Sequence, residues 1–154
     1  MITGVILLTE WLIFNLFVNS KLYKPSLFYT FMDDQLQELE STFLEEYESA
    51  QLLLRHQKTK SAIILLSKSL FSLLDYLIFD KYHKLPKNHT ERFRVLEERE
   101  PKLYILVDEV WKSYRDSYSK PAAEKSLHVL QKAITEVIGF YERYSQKIKA
   151  TVKK

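Results

Sequence analysis

Cysteine is absent from this sequence of 154 residues. Its absence excludes disulfides, thiolate metal sites and a cysteine nucleophile, and it is typical of a protein kept in a reducing compartment. The chain is therefore expected to be cytoplasmic. None of the four histidines is paired with another at the i, i+4 spacing that seats a metal on a helix, so neither a metal nor another cofactor is predicted. These histidines are His56, His83, His89 and His128.

Glycine and proline are scarce, with two and four residues respectively. A sheet with many tight turns is not expected from such a composition, and a glycine-rich loop that cradles phosphate is excluded. A GxSxG nucleophile turn is also missing. The composition therefore predicts a mostly helical structure. At this length one domain with a single core is expected. The net charge of +3 is modest, and several of the lysines fall at the C-terminal end.

A nearly uncharged run covers residues 2–20 and is about as long as the roughly 20 residues of a membrane-spanning helix. Glu10 offsets much of the insertion energy of its apolar residues, and Lys21 and Lys24 would hold the rest of the chain on the cytoplasmic side. Three interpretations stay open: a membrane anchor facing the cytoplasm, an apolar helix packed on the bundle, and a stretch upstream of a true start at Met32. The segment MDDQLQELE is the reason for keeping the third, because it resembles the acidic first turn of a helix.

Apolar residues at steps of three and four predict a bundle of four long helices and one short one after this run. The second helix has so wide an apolar face that it should be central. Thr90 is the predicted N-cap of the short helix, and Pro101 suits the first turn of the next one. The predicted helices cover about residues 33–57, 59–82, 90–98, 101–120 and 122–147. The expected fold is an all-α, antiparallel up-down bundle over residues 32–147, preceded by the apolar segment 1–31 and followed by a basic tail, 148–154.

The first candidate binding site is the basic stretch of residues 81–94, in which a phosphate-bearing partner could dock. Its candidate ligand contacts are Lys87, His89, Arg92 and Arg94. Arg92 lies within one turn of the predicted Thr90 cap, where free backbone N–H groups favour an anion. The alternative is that the stretch is a solvated polar loop.

The second candidate site is the YRDSY segment, formed by Tyr114, Arg115, Asp116 and Tyr118 with Ser117 between them. Arg115 and Asp116 are adjacent and point to different sides of a helix, so they do not form a local ion pair. One of them could face a neighbouring helix or a partner. The alternative is that the tyrosines border the core and Arg115 covers a helix end.

Three segments resemble prokaryotic HEPN-domain proteins over about residues 35–145: AIILLSKSLFSLLDYLIFDKY, LPKNHTERFRVLEEREPKLYILVDEVWKSYRDSYS and the final amphipathic helix. The most specific pieces are the small residues Ala62, Ser67 and Ser69 among large apolar ones, HTERFR and YRDSY. The resemblance implies a bundle of four to five helices that is often dimeric. It also implies RNA cleavage, nucleotide binding, or pairing with a small nucleotidyltransferase in toxin–antitoxin systems.

Catalytic HEPN members use an arginine followed after four to six residues by a histidine, and this motif is absent here. The corresponding positions after Arg115 hold Lys120, Pro121 and Ala122. No catalytic residue is therefore predicted, and the preferred function is a non-catalytic module that binds a nucleotide, RNA or a partner protein. Two alternatives stay open. One is a metal-independent ribonuclease in which His89 or His83 replaces the missing group across a dimer interface, and the other is a membrane-tethered scaffold.

The partners expected are a nucleotide or RNA, a nucleotidyltransferase and a second copy of the chain. The homodimer is expected because Trp11, Trp111 and ten tyrosines are more aromatic surface than one small core readily buries. Contact with a membrane would go through residues 2–20.

Overall fold

A computed structural model describes residues 25–121 and 124–153, with side chains from residue 29 onward. Within these residues there are six α-helices and no strand, which confirms the all-α class. The apolar run of residues 2–20 lies outside the described residues. Contacts divide the chain into two units, residues 1–35 and 36–154. Of the first unit, residues 25–35 are described, and they form the opening turns of the first helix.

Two of the six helices have the bounds that the sequence predicts. The second helix covers Thr59–Tyr82 as expected, and the fourth begins at Pro101 and ends at Ser119, just before Pro121. Proline costs nothing in the first turn of a helix, and the residue before a proline is disfavoured in the α conformation. The helices are α1 (Pro25–Arg55), α2 (Thr59–Tyr82), α3 (His89–Arg99), α4 (Pro101–Ser119), α5 (Glu124–Phe140) and α6 (Gln146–Val152).

Helix α2 is the centre of the bundle and contacts α3, α4 and α5. Its buried serines are compatible with this position because their hydroxyls donate to carbonyls of their own helix, Ser67 to Ile63 and Ser69 to Leu66, each at 2.8 Å. Among the described helices, α2 alone is long and apolar enough to cross a membrane, and 83% of that apolar stretch is buried inside the protein. The wide apolar face of α2 is thus used for the core.

Helix α1 begins earlier than predicted. It starts at Pro25, so Asp33 and Asp34 lie in its third turn and its first turn has no acidic residue. The interpretation of the segment at Met32 as a first helical turn is therefore wrong. The reason is that Pro25 suits the first turn of a helix, and this turn lies about three turns before Leu36, where the apolar repeat begins.

The N-cap of α3 is Asn88, not the predicted Thr90. The Asn88 side chain accepts a hydrogen bond from the backbone N–H of Glu91 at 2.9 Å, and the Glu91 carboxylate accepts one from the backbone N–H of Lys87 at 2.9 Å. Asparagine is a stronger N-cap than threonine, and a glutamate three residues later completes a reciprocal capping arrangement. The carboxylate of Glu91 thus occupies the start of the helix where an anion was expected.

The predicted last helix, residues 122–147, is broken into two. Helix α5 ends at Phe140, and α6 begins after Ser145, whose side chain accepts a hydrogen bond from the backbone N–H of Ile148 at 3.2 Å. The turn between them is anchored on α2, because the buried Tyr144 hydroxyl donates to the Leu73 carbonyl at 2.7 Å. Ile148 is fully buried, so the segment predicted as a basic tail begins with a core residue.

Glu100 joins α3 to α4 and ties both to the end of α2. It is buried, and its carboxylate pairs with Lys81 and accepts a hydrogen bond from the Tyr82 hydroxyl at 2.6 Å. Its backbone N–H donates to Leu96, the last turn of α3, and its carbonyl accepts from Tyr104, the first turn of α4. Since a single residue connects the two helices, their facing side chains meet close to this junction.

We expect the buried face of α5 to be essential for stability. Ile134 is 0% exposed, whereas Ile105 on α4 is 72% exposed. Replacement Ile134→Ala should lower the free energy of unfolding by about 2–5 kcal/mol because it leaves a cavity. The matched control Ile105→Ala should change it by less than about 0.5 kcal/mol. Urea unfolding followed by circular dichroism measures both, and equal effects would contradict the described core.

Candidate functional site

A surface groove of about 400 Å³ lies between α3 and α4, on either side of the Glu100 junction. Volumes of about 300–1,000 Å³ are typical of small-molecule sites. The residues from each helix recur at steps of three or four, so they share one face of that helix. From α3 come His89, Phe93 and Glu97, joined by Thr90 and Arg94, and from α4 come Tyr104, Asp108 and Trp111.

The walls of the groove are aromatic. The Phe93 ring centroid lies 6.1 Å from that of Tyr104 and 5.4 Å from that of Trp111, with interplanar angles of 88° and 66°. Edge-to-face contacts of this kind are favourable and hold the rings in fixed orientations. All three side chains are half-buried, so part of each remains accessible. The groove therefore offers flat apolar surfaces to a ligand.

The described residues that line the groove carry one cation and two carboxylates. Arg94, Glu97 and Asp108 are all exposed. No ion pair of these three side chains occurs within the described part of the chain. Their charges are thus available to a ligand, and their sum does not favour a polyanion.

Beneath the groove, Arg92 forms a bidentate ion pair with Asp75 of the central helix. Its Nε donates to Asp75 Oδ1 at 2.6 Å and its Nη2 to Oδ2 at 2.7 Å. The third nitrogen, Nη1, lies 2.8 Å from Nδ1 of His89, and the guanidinium lies 5.0 Å above the Phe71 ring. Because a guanidinium only donates, Nδ1 of His89 must be the acceptor, and the proton of the neutral imidazole is on Nε2.

The protonation states of this network follow from burial and charge. Burial lowers the pKa of His89, and the neighbouring positive charge of Arg92 lowers it further. Burial raises the pKa of Asp75, while the hydrogen bonds and charge of Arg92 oppose that change. Near neutral pH, His89 is therefore an uncharged imidazole, which is a poor general acid, and the lone pair of its Nδ1 is already engaged by Arg92, which makes it a poor general base.

An aromatic cluster lies behind His89 and supports the groove. The His89 ring centroid is 4.7 Å from that of Phe71, 4.5 Å from that of Trp111 and 5.8 Å from that of Tyr114. The Tyr114 hydroxyl lies 2.9 Å from the Tyr118 hydroxyl. Burial, together with this hydrogen bond, raises the pKa of Tyr114 to about 12. Tyr114 is thus an uncharged packing residue at physiological pH.

The basic stretch of residues 81–94 is largely neutralised by internal ion pairs. Lys81 pairs with Glu100, Lys84 with Glu91 at 3.2 Å, and Arg92 with Asp75. Arg92 is only 7% exposed, and its guanidinium is directed to Asp75 and not to the start of α3, where an anion was expected. The reason is that a long-range partner on α2, which local sequence does not show, takes up its charge.

The structure brings together only part of the two predicted sites. His89 and Arg94 line the groove, while Arg92 and Tyr114 support it from below. Lys87 is exposed on the loop before α3, outside the groove lining. The rest of the YRDSY segment is also outside it: Arg115 is exposed, Asp116 pairs with Lys120 at 2.9 Å, and the Tyr118 carbonyl accepts from Lys60 Nζ at 3.3 Å.

Sequence reasoning missed Tyr104, Asp108 and Glu97 as groove residues. A signal for them exists on α4, because Tyr104, Asp108 and Trp111 form a second stripe beside the core stripe of Leu103, Val107 and Val110. A mixed stripe of aromatic and acidic residues next to an apolar one indicates a surface that is neither core nor simply solvated. Asp75 had a signal of its own, as a carboxylate within the apolar run of α2, whose other acidic residue, Asp80, lies near the end of the helix.

No group of three or more metal-ligating side chains occurs within the described residues. Comparisons with protein-family models, with curated proteins and with solved structures found no match. The chemistry of the groove is therefore the basis for assigning a function.

We expect Arg92 to act in stability and Arg94 to act in binding. Replacement Arg92→Ala leaves the Asp75 carboxylate buried without a partner, and the free energy of unfolding should fall by about 3–5 kcal/mol. The exposed Arg94→Ala variant is the matched control and should change it by less than about 0.5 kcal/mol. Chemical unfolding curves separate the two, and similar stabilities would show that the ion pair is not formed.

We also expect His89 to make stability fall in mild acid. Its pKa is lower in the folded chain than its ordinary value near 6.5, so the unfolded chain binds the proton more tightly. The contribution of neutral His89 to the free energy of unfolding is complete above about pH 6.5 and declines as the pH falls toward the folded-state pKa. The difference in unfolding free energy between the wild type and His89→Asn should therefore shrink as the pH is lowered from 7.5 to 5.5. Parallel curves for the two proteins would rule out this role.

Proposed function

We propose that this chain is a HEPN-like bundle that acts as a non-catalytic module and binds a nucleotide or RNA, with the base held in the groove between α3 and α4. The observation that carries the proposal is the convergence of three aromatic rings and Arg94 on one cleft of about 400 Å³. Every base has a flat π-face that stacks on aromatic side chains, and an arginine beside it supplies a donor for phosphate.

The proposal includes the antiparallel up-down arrangement of the helices. Short connections support it, because brief links between helices favour antiparallel neighbours. Residues 56–58 separate α1 from α2, with Gln57 in the left-handed region at φ 59°, and residues 83–88 separate α2 from α3. The resemblance to HEPN proteins over about residues 35–145 rests on the sequence segments alone.

The charge distribution favours a single nucleotide or one unstacked residue of RNA as the ligand. Lys81, Lys84 and Arg92 are paired internally, so the described stretch 81–94 does not offer the row of free charges that a duplex backbone requires. Arg94 in the groove and the exposed Lys87 just before α3 are enough for one phosphate. Recognition of unstacked bases by aromatic side chains is the usual mode for single-stranded RNA.

Binding is proposed in preference to cleavage for two reasons. The arginine-then-histidine motif of catalytic HEPN members is absent, and the pKa of His89 is lowered while its Nδ1 accepts from Arg92. A general acid or base works best with a pKa near the working pH and with the reacting nitrogen free. A nucleotidyltransferase partner, a homodimer, a cytoplasmic location and a membrane anchor stay predictions from the sequence.

We expect Tyr104 to be essential for binding and Tyr118 not to be. Replacement Tyr104→Ala should weaken the affinity for a fluorescent RNA octamer by about 5- to 150-fold, because one stacking ring contributes about 1–3 kcal/mol per base. Tyr118→Ala is the matched control, since Tyr118 is 56% exposed outside the groove. Fluorescence anisotropy measures the affinity, and circular dichroism checks that each variant is folded.

Two results would contradict the proposal: no binding of RNA or nucleotides by the wild type, or an equal loss of affinity in both variants. Gel analysis of the RNA recovered from the same samples should show it intact. Degradation that disappears in His89→Ala would favour the ribonuclease alternative instead.

A further inference from the structure

We propose that the groove selects guanine among the bases, and that the carboxylate of Asp108 recognises it by accepting hydrogen bonds from its N1–H and its 2-amino group. This inference rests on the proposed function and specifies its ligand. It concerns which base edge fits the groove, whereas the proposed function concerns whether any base binds there.

The position of Asp108 between two aromatic residues carries the inference. Asp108 follows Tyr104 by four residues and precedes Trp111 by three, so all three side chains lie on the same face of α4. A base that stacks on either ring therefore has its edge close to the surface that Asp108 occupies. Asp108 is exposed and has no ion-pair partner within the described residues, in contrast to Asp116 on the same helix, which pairs with Lys120.

The chemistry of a carboxylate then selects the base. An ionised carboxylate only accepts hydrogen bonds, and its two oxygens match two parallel donors. Guanine presents two adjacent donors, N1–H and the 2-amino group, on its Watson–Crick edge. Adenine and cytosine each place an acceptor beside their amino group, and uracil places its one N–H between two carbonyls. A site that hydrogen-bonds a donor rejects analogues that lack it.

The remaining charges limit the phosphate part of the ligand. Among the described residues that line the groove, Arg94 is the one cation, and Glu97 is a second carboxylate on the same helix face as Phe93. A chain of several phosphates would be repelled by two carboxylates in so small a space. The ligand expected is therefore guanosine monophosphate or a single guanosine of an RNA strand.

The test is a titration of the full chain, purified in a mild non-ionic detergent, with the monophosphates of guanosine, inosine, adenosine, cytidine and uridine. A Trp11→Phe background makes Trp111 the one tryptophan, so quenching of its fluorescence reports binding in the groove. Guanosine monophosphate should bind about tenfold or more tightly than inosine monophosphate, which lacks the 2-amino donor. The other three should bind no better than inosine monophosphate.

Two matched pairs of variants identify the carboxylate. Asp108→Asn should abolish the preference for guanosine over inosine, while Glu109→Gln, an exposed neighbour outside the groove, should keep it. Glu97→Gln and its neighbour Glu98→Gln are tested in parallel, and both should keep it. Loss of the preference in Glu97→Gln alone would overturn the assignment to Asp108.

The outcomes separate the two proposals. Equal affinity for all five nucleotides would overturn the selection of guanine and leave the binding module standing. If none of the five nucleotides binds, and the RNA octamer does not bind either, both proposals are overturned. Quenching of Trp111 by tetramethylammonium but by no nucleotide would assign the aromatic groove to organic cations and would overturn both as well.

Discussion

The buried ion pair between Asp75 and Arg92 is the interaction on which the geometry of the groove depends. Two charged groups removed from water are tolerated only where each satisfies the other, and the bidentate contact at 2.6 and 2.7 Å does so. It fixes the rotation of α3 against the central helix. Since Arg92 faces α2, Phe93 and Arg94, which follow it by one and two positions, lie on the sides of α3 that line the groove.

The same interaction determines the chemistry that the groove can perform. Because Arg92 is paired with Asp75, its charge is not free to bind a ligand. Its Nη1 also holds His89 as a neutral imidazole, whose ring packs among Phe71, Trp111 and Tyr114. A residue that looks like a phosphate ligand in the sequence thus becomes a structural support. Among the described lining residues, Arg94 is then the cation that remains for a phosphate. Recognition of a ligand therefore depends more on its base than on its phosphate.

A second group of polar contacts fixes the C-terminal end of α2 against its neighbours. Glu100 accepts from Lys81 and Tyr82 at the end of α2, and Asp80 accepts from Tyr141 and pairs with Arg143 at 3.2 Å. Each contact joins residues far apart in the chain. Together they hold the link between α3 and α4 and the turn after α5 against the end of α2.

The sequence by itself determined the all-α class, the bounds of α2, and the start of α4 at Pro101. The reason is that apolar residues at steps of three and four mark the buried face of a helix, and prolines mark its ends. It also indicated His89 and Arg94, as polar residues near a helix start. Only the tertiary structure decided that Arg92 is buried, that Tyr104 and Asp108 belong to the groove, and that the final helix breaks before Ser145. The physical reason is the range of the interactions. Periodicity and capping act over about one helical turn, whereas the partners Asp75–Arg92 and Leu73–Tyr144 are 17 and 71 residues apart and meet only when the bundle is packed.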